Sequence, residues 1–327
     1  MAESKPLVRH IYTADPSAHV FEGKIYIYPS HDIEAGTPEN DFGDHFDMRD
    51  YHVFSMDDIS SEVLDHGVAL DVKDVPWAGR QMWAPDAACK NGKYFFYFPL
   101  KDKNDIFRIG VAVSDSPCGP FKAEEKPIKG SYSIDPAVFE DDDGRYYMYF
   151  GGLWGGQLQR WRTGKFIADG SPYDNIPADN EAAICPKVAM MADDMLSFAE
   201  EPKDLQILDE NGSALLAGDH NRRFFEAAWM HKYNDTYYFS YSTGNTHFIC
   251  YAISDNPYGP FTYKGIILTP VLGWTTHHSI VKFKGKWYLF YHDCELSGGK
   301  THLRNIKCSE IKYREDGTIA TINANGY

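Results

Sequence analysis

The chain has 327 residues, enough for one large domain or two small ones. Apolar residues supply 43% and charged residues 24%, a globular balance that excludes a disordered chain. A formal net charge of −15 repels nucleic acid and anionic membranes and disfavours polyanionic substrates, so a neutral ligand is the simplest partner.

The opening MAESKPLVRH lacks the apolar stretch of a secretory leader. As written the chain reads as cytoplasmic, or as secreted or periplasmic if a leader has been trimmed. No apolar run is long enough to span a membrane. The first hairpin is expected at VFEGKIYIYPS (20–30), where a glycine turn joins two apolar strands. The same pattern returns at CKNGKYFFYFP (89–99), FEDDDGRYYMYFG (139–151), HKYNDTYYFSYS (231–242) and VKFKGKWYLFYH (281–292). Alternation inside these strands is incomplete, which implies burial on both faces. Third and fourth strands follow each hairpin. IGVAVSDSPCGPF (109–121) and ICYAISDNPYGPF (249–261) match almost residue for residue, and 51–70, 187–208 and 307–322 are looser versions.

Four strands repeated five times predict an all-β, five-bladed propeller of antiparallel blades in a single domain over 1–327. Each unit takes about 65 residues, more than the ~40–50 common in propeller repeats. The excess falls into long loops at 31–50, 71–82, 152–180 and 293–301, which on a rigid scaffold carry binding function. Only 194–201 has a composition suited to a turn or two of helix. The six cysteines are far apart and form no CxxC, against a zinc ribbon or dithiol motif.

About eight residues before each hairpin turn stand Asp15, Asp86, Asp135, Glu226 and His277. The first strand of every blade lines the channel, so equivalent positions converge near the axis. One Asp-Pro is an ordinary turn dipeptide. Recurrence of acids at one offset is not, and their gathering is costly without protonation or a cation. Trp83 and Trp154 are assigned to the pocket as stacking surfaces, Trp154 in the glycine-rich GGLWGG loop. Trp229 and Trp287 are assigned to the core between blades. His52, His278 and His292 read as hydrogen-bonding residues. EDDDG (140–144) lacks the spacing of a calcium loop and reads as a hairpin turn.

The motifs TADPSAHVFEGKIYIYPSHD (13–32), WAPD (83–86), YSIDPAVFEDDDGRYYMYFGG (132–152), FFEAAWMHKYNDTYYFSYS (224–242), HHSIVKFKGKWYLFYHD (277–293) and LRNIKCSEIKYREDGTI (303–319) resemble glycoside hydrolase family 43. That family consists of five-bladed propeller enzymes that cut α-L-arabinofuranosyl and β-D-xylosyl linkages by inversion. The resemblance implies Asp15 as general base, Asp135 as the residue that tunes and positions the acid, and Glu226 as general acid. It implies that Arg304 contacts the sugar and that His277 faces an axial ion, often calcium, with no cofactor needed for the chemistry itself. Asp86 is expected to contact the substrate. The C-terminal β-sandwich of longer relatives is not expected here.

The chemistry asks for the same groups. Inverting hydrolysis needs an acid on the leaving oxygen and a carboxylate that activates water on the other face of the ring. Glu226 must keep its proton near neutrality. An ionised Asp135 and the apolar Phe224, Phe225 and Trp229 are expected to raise its pKa. The expected substrate is a neutral pentose oligosaccharide from arabinoxylan or arabinan, trimmed from its end. The alternatives are endo action within the family and a non-catalytic carbohydrate-binding propeller. Retaining fructan and sucrose hydrolases fit less well, because Ile134 and Ala227 stand where those families carry Arg and Cys.

Overall fold

The computed structural model describes residues 4–324. They form five small antiparallel sheets set around one axis, a five-bladed β-propeller. The innermost strands are Tyr12–Phe21, Asp86–Lys90, Ala137–Glu140, Glu226–Tyr233 and His278–Phe283. They neighbour one another in cyclic order, the first touching both the second and the fifth. Each turns through the expected hairpin into a second strand, as in the pairing of Phe21 with Lys24 and of Lys90 with Lys93.

The two-sided burial has a simple origin. In the strand Lys93–Asp102, successive side chains point to opposite faces. Tyr94, Phe96 and Phe98 join Tyr28 and Tyr51 of the first blade. Phe95 and Tyr97 join Met148 and Phe150 of the third. The same division holds around the ring, with one apolar cluster at each of the five blade junctions. Trp229 belongs to the junction of the fourth and fifth blades, where its indole N–H donates to the Ile280 carbonyl at 3.1 Å.

Two expectations are corrected. The fifth blade has three strands, His278–Phe283, Lys286–Asp293 and Asn305–Ile311. The stretch to 322 makes only isolated bridges. The N-terminal segment meets this last strand from its other side, with the Leu7 N–H donating to the Ile306 carbonyl at 2.9 Å, and so ties the ring shut. The 194–201 segment forms turns, and among the described residues the helical pieces are three short 3-10 turns. Asp194 has its carboxylate bonded to the Leu196 N–H, a local bond that competes with helix.

Candidate active site

The Asp-Pro segments of the first and third blades do not continue as regular strand. Asp15 and Asp135 have φ of 49° and 55°, left-handed values uncommon for an aspartate, and Ala227 after Glu226 has 61°. The ladder slips between Ala14 and Ser17 and again between Glu226 and Trp229. Bulges of this kind re-aim side chains. Here they accompany three carboxyls that line one cavity of about 370 Å³. Strain of this kind persists where the surroundings over-determine it, and it clusters at functional sites.

The cavity joins Asp15, Asp135, Glu226, His277 and Arg304 at its polar end with Trp83 and Trp154, all expected from the sequence. Asp86 is absent from its lining. Its carboxylate is fully buried and bonded to the Ser17 hydroxyl, to His19 Nε2 at 2.6 Å and to the Val138 N–H at 2.5 Å. It ties the inner strands of the first three blades together and has no free oxygen for a sugar. Its place in the repeat was read correctly, and its role was not. Of the apolar neighbours expected around Glu226, only Phe225 reaches the cavity. Phe224 packs into the core and Trp229 lies between blades.

Asp15 is held from four directions. Its N–H donates to His292 Nδ1 at 3.0 Å, and Ser30 Oγ donates to Oδ2 at 2.7 Å. Arg304 Nη1 donates to Oδ1 at 2.9 Å, and His292 Nδ1 stands 3.3 Å from the same oxygen. Burial alone would raise the Asp15 pKa. The Arg304 guanidinium and then His292 outweigh it and hold the carboxyl well below the usual range, so Asp15 is ionised.

Glu226 has the opposite setting. Burial first, then the charges of Asp135 and Asp15, push its pKa well above 4.5 against the opposing pull of Arg304. Among the described residues no side chain is bonded to its carboxyl, which leaves that group to a ligand. Asp135 is also raised, by burial and by Asp15, although the Ala227 N–H donates to its Oδ2 at 2.7 Å. A simply ionised Asp135 was expected. The structure instead raises both groups by burial, with Asp135 the first of the charges that raise Glu226 further.

His277 lies 3.7 Å from Asp135 Oδ2, and neither of its buried ring nitrogens has a hydrogen-bond partner. Burial lowers its pKa to about 4 despite Asp15, so the ring is neutral with a lone pair to offer.

The walls come from the 31–50 and 152–180 loops together with Trp83 and Trp274. Trp83 packs edge-on to Phe46 and its indole N–H donates to the Phe46 carbonyl at 2.7 Å. Trp154 meets Phe225 and Trp274 with ring centroids 5.1 and 5.5 Å apart. Gly155 lets the 152–180 loop approach the 31–50 loop, since a Cβ there would stand 2.7 Å from the Phe42 carbonyl oxygen. Phe46 and Trp274 were not anticipated. Trp274 stands three residues before His277, close enough to its motif to have been considered.

A family model for glycosyl hydrolases family 43 matches residues 5–319. The chain belongs to this family. It is therefore a glycoside hydrolase, and the family's fold agrees with the five blades described above. Among curated relatives, a xylosidase/arabinosidase from Bacteroides ovatus is 64% identical, covering 98% of each chain. A beta-xylosidase from Xylanibacter ruminicola is 52% identical over 95% of this chain and 97% of its own. Among solved structures, a family 43 beta-xylosidase/alpha-arabinofuranosidase from a compost microbial metagenome, in complex with xylotriose and in calcium-free form, is 72% identical. It superposes with a TM-score of 0.97 and covers 99% of this chain and 98% of that one.

Proposed function

We propose that this family 43 hydrolase releases β-D-xylosyl and α-L-arabinofuranosyl units from the ends of hemicellulose oligosaccharides by inversion. One observation carries the reading. Three carboxyls line a single cavity, with Asp15 held ionised and Glu226 held protonated. An acid and a base with pKa values pushed apart are what glycoside hydrolysis requires. Relatives described as xylosidase/arabinosidase and beta-xylosidase, and a neighbour bound to xylotriose, support the choice of pentose.

In this mechanism Glu226 gives its proton to the departing glycosidic oxygen. Asp15 accepts a proton from the water that attacks the anomeric carbon from the other face. Asp135 holds the Ala227 N–H, which fixes the backbone beside Glu226, and raises the Glu226 pKa. Arg304 keeps Asp15 charged and oriented and lines the cavity within reach of sugar hydroxyls. Trp83, Trp154, Phe225 and Trp274 offer apolar faces to the ring.

The loops favour action at a chain end. Residues 31–50 and 152–180 meet at Gly155 and Phe42, and the Tyr173 hydroxyl pairs with Asp41. Asp41 and Gly155 line the cavity, so the two loops join at its wall, which suits a substrate that enters by its end.

His277 fits an axial cation, because its unpartnered, neutral imidazole lies beside Asp15 and Asp135. Calcium prefers oxygen ligands, so beyond one imidazole nitrogen its shell would be largely water. Such an ion would supply fixed positive charge beside the acids. A neighbour described as a calcium-free form is in keeping with this.

The test is proton NMR of xylotriose hydrolysis. Xylose released from the non-reducing end and first seen as the α-anomer supports the reading. First-formed β-xylose, or xylobiose produced from internal cleavage of longer chains, contradicts it.

A further inference from the structure

A second cluster of metal-ligating side chains lies away from the cavity, on the first blade. The strand Lys24–Asp32 leads into the 33–49 loop, whose residues Glu39 to Met48 wall the cavity, and the strand Asp50–Met56 leaves it. At this junction His31 Nδ1 and Asp50 Oδ1 are 2.6 Å apart. The His52 ring stands edge-on to the His31 ring with centroids 4.8 Å apart. One ligand atom from each of His31, Asp50 and His52 lies within 4.8 Å of the others. The three side chains are between 14% and 24% exposed, buried enough to be ordered and open enough for an ion to enter. None of them lines the cavity.

We propose that His31, Asp50 and His52 form a site for one divalent transition-metal ion, of the zinc or cobalt kind, that clips the two ends of the cavity loop together.

The donor set selects the ion. Two imidazoles and a carboxylate suit zinc and its neighbours, whereas calcium and magnesium want oxygen. The outer partners fit as well. His52 Nδ1 lies 3.0 and 3.2 Å from the two oxygens of Asp65, a carboxylate that His10 Nε2 also reaches at 2.7 Å. A ligating histidine commonly gives its other ring N–H to a carboxylate, which fixes ring and tautomer. With Nδ1 engaged, His52 offers Nε2, and among the described residues no protein group is bonded to that atom. A set of hydrogen-bonded His–Asp pairs would explain His31 with Asp50 and His52 with Asp65. It would not explain why the two pairs face each other. His52 was assigned above to hydrogen bonding alone, because sequence spacing does not show that His31 and Asp50 flank one loop and meet.

Tetrahedral ligands about 2.0 Å from zinc stand roughly 3.3 Å apart, so the side chains must close by small rotations. The hydrogen bond between His31 Nδ1 and Asp50 would give way to the metal, and the His31 imidazole would carry its proton on Nε2. The fourth position would hold water. The consequence is mechanical, since the ion would pin both ends of the segment that carries Phe46 and the Trp83 contact.

The experiment uses the full chain stripped of metal by chelation. Zn²⁺ is titrated by calorimetry and Co²⁺ by visible absorption. The expected result is one equivalent bound, and a Co²⁺ spectrum without the thiolate charge-transfer band that the free cysteines would give. Zinc should raise the melting temperature and slow proteolysis within 33–49. His52→Ala and Asp50→Ala should each weaken binding at least tenfold while leaving the metal-free rate unchanged. His52→Gln serves if the alanine variant melts early. Uptake should survive His277→Ala and excess Ca²⁺. The proposal is overturned if zinc does not saturate, if binding survives His31→Ala/His52→Ala, if it vanishes in His277→Ala, or if Co²⁺ reports thiolate ligation.

Discussion

Arg304 donates to Asp15 Oδ1 at 2.9 Å while Asp32 grips the rest of its guanidinium, through Nε and Nη2 at 2.8 Å each. All three side chains are buried, so the Arg304 charge acts on Asp15 with little screening. Removing it should let the Asp15 pKa rise. The acidic limb of kcat/KM against pH, which reports ionisation of the base, should then move to higher pH by ~1–3 units in Arg304→Ala. Arg304→Lys should fall between, because an ammonium cannot span both carboxylates. An unmoved acidic limb would separate Arg304 from the base.

Asp32 should matter for stability as much as for rate. Asp32→Ala leaves a buried guanidinium short of its partner, which costs ~3–5 kcal/mol. Denaturant unfolding measures this directly. A loss below about 1 kcal/mol would mean that water replaces the carboxylate.

Glu226→Gln should stabilise the protein in a pH-dependent way. The Glu226 pKa is raised well above 4.5 in the folded chain. Below the unfolded value both states hold the proton and the carboxyl costs nothing extra. As pH rises from there towards the folded value, the unfolded chain ionises first and folding loses free energy. The variant escapes this loss. Its melting temperature should match the parent near pH 4 and exceed it by about 2–4 °C near neutrality, the shift that ~1 kcal/mol produces in a large domain. A difference independent of pH would mean that Glu226 is not held protonated.

His277 should be the residue through which calcium acts. Calcium at a hundredfold excess over its Kd should stabilise the chelated parent by ~2.7 kcal/mol, and His277→Ala should remove that gain. Equal stabilisation of parent and variant would place the ion elsewhere.

The blade repeat was legible because each hairpin carries its own turn and a run of apolar side chains that serves two junctions at once, as Tyr94 to Phe98 do. The missing strand of the fifth blade was not, because the chain that meets its outer edge comes from the N-terminus. The acids were legible from their shared offset. That offset could not separate Asp86 from Asp15, since only the fold shows that Ser17, His19 and Val138 take up the Asp86 carboxylate. Asp32 was invisible for a related reason. It ends a strand in YPSHD, as Asp102 and Asp293 end theirs, and what sets it apart is Arg304, far away in sequence. The raised pKa values of Asp135 and Glu226 likewise depend on burial that no motif records.

The assignment of Glu226 as acid and Asp15 as base is tested most directly by comparing alanine variants on two leaving groups. Nitrophenolate departs without a proton, whereas a sugar alkoxide needs one. Proton donation contributes ~10²–10⁴-fold. Glu226→Ala should therefore lose about that factor on xylobiose and far less on 4-nitrophenyl β-D-xylopyranoside. Asp15→Ala removes activation of the attacking water and should lose activity severely and about equally on both. An aryl substrate that rescues Asp15→Ala but not Glu226→Ala would contradict the account and reverse the two roles.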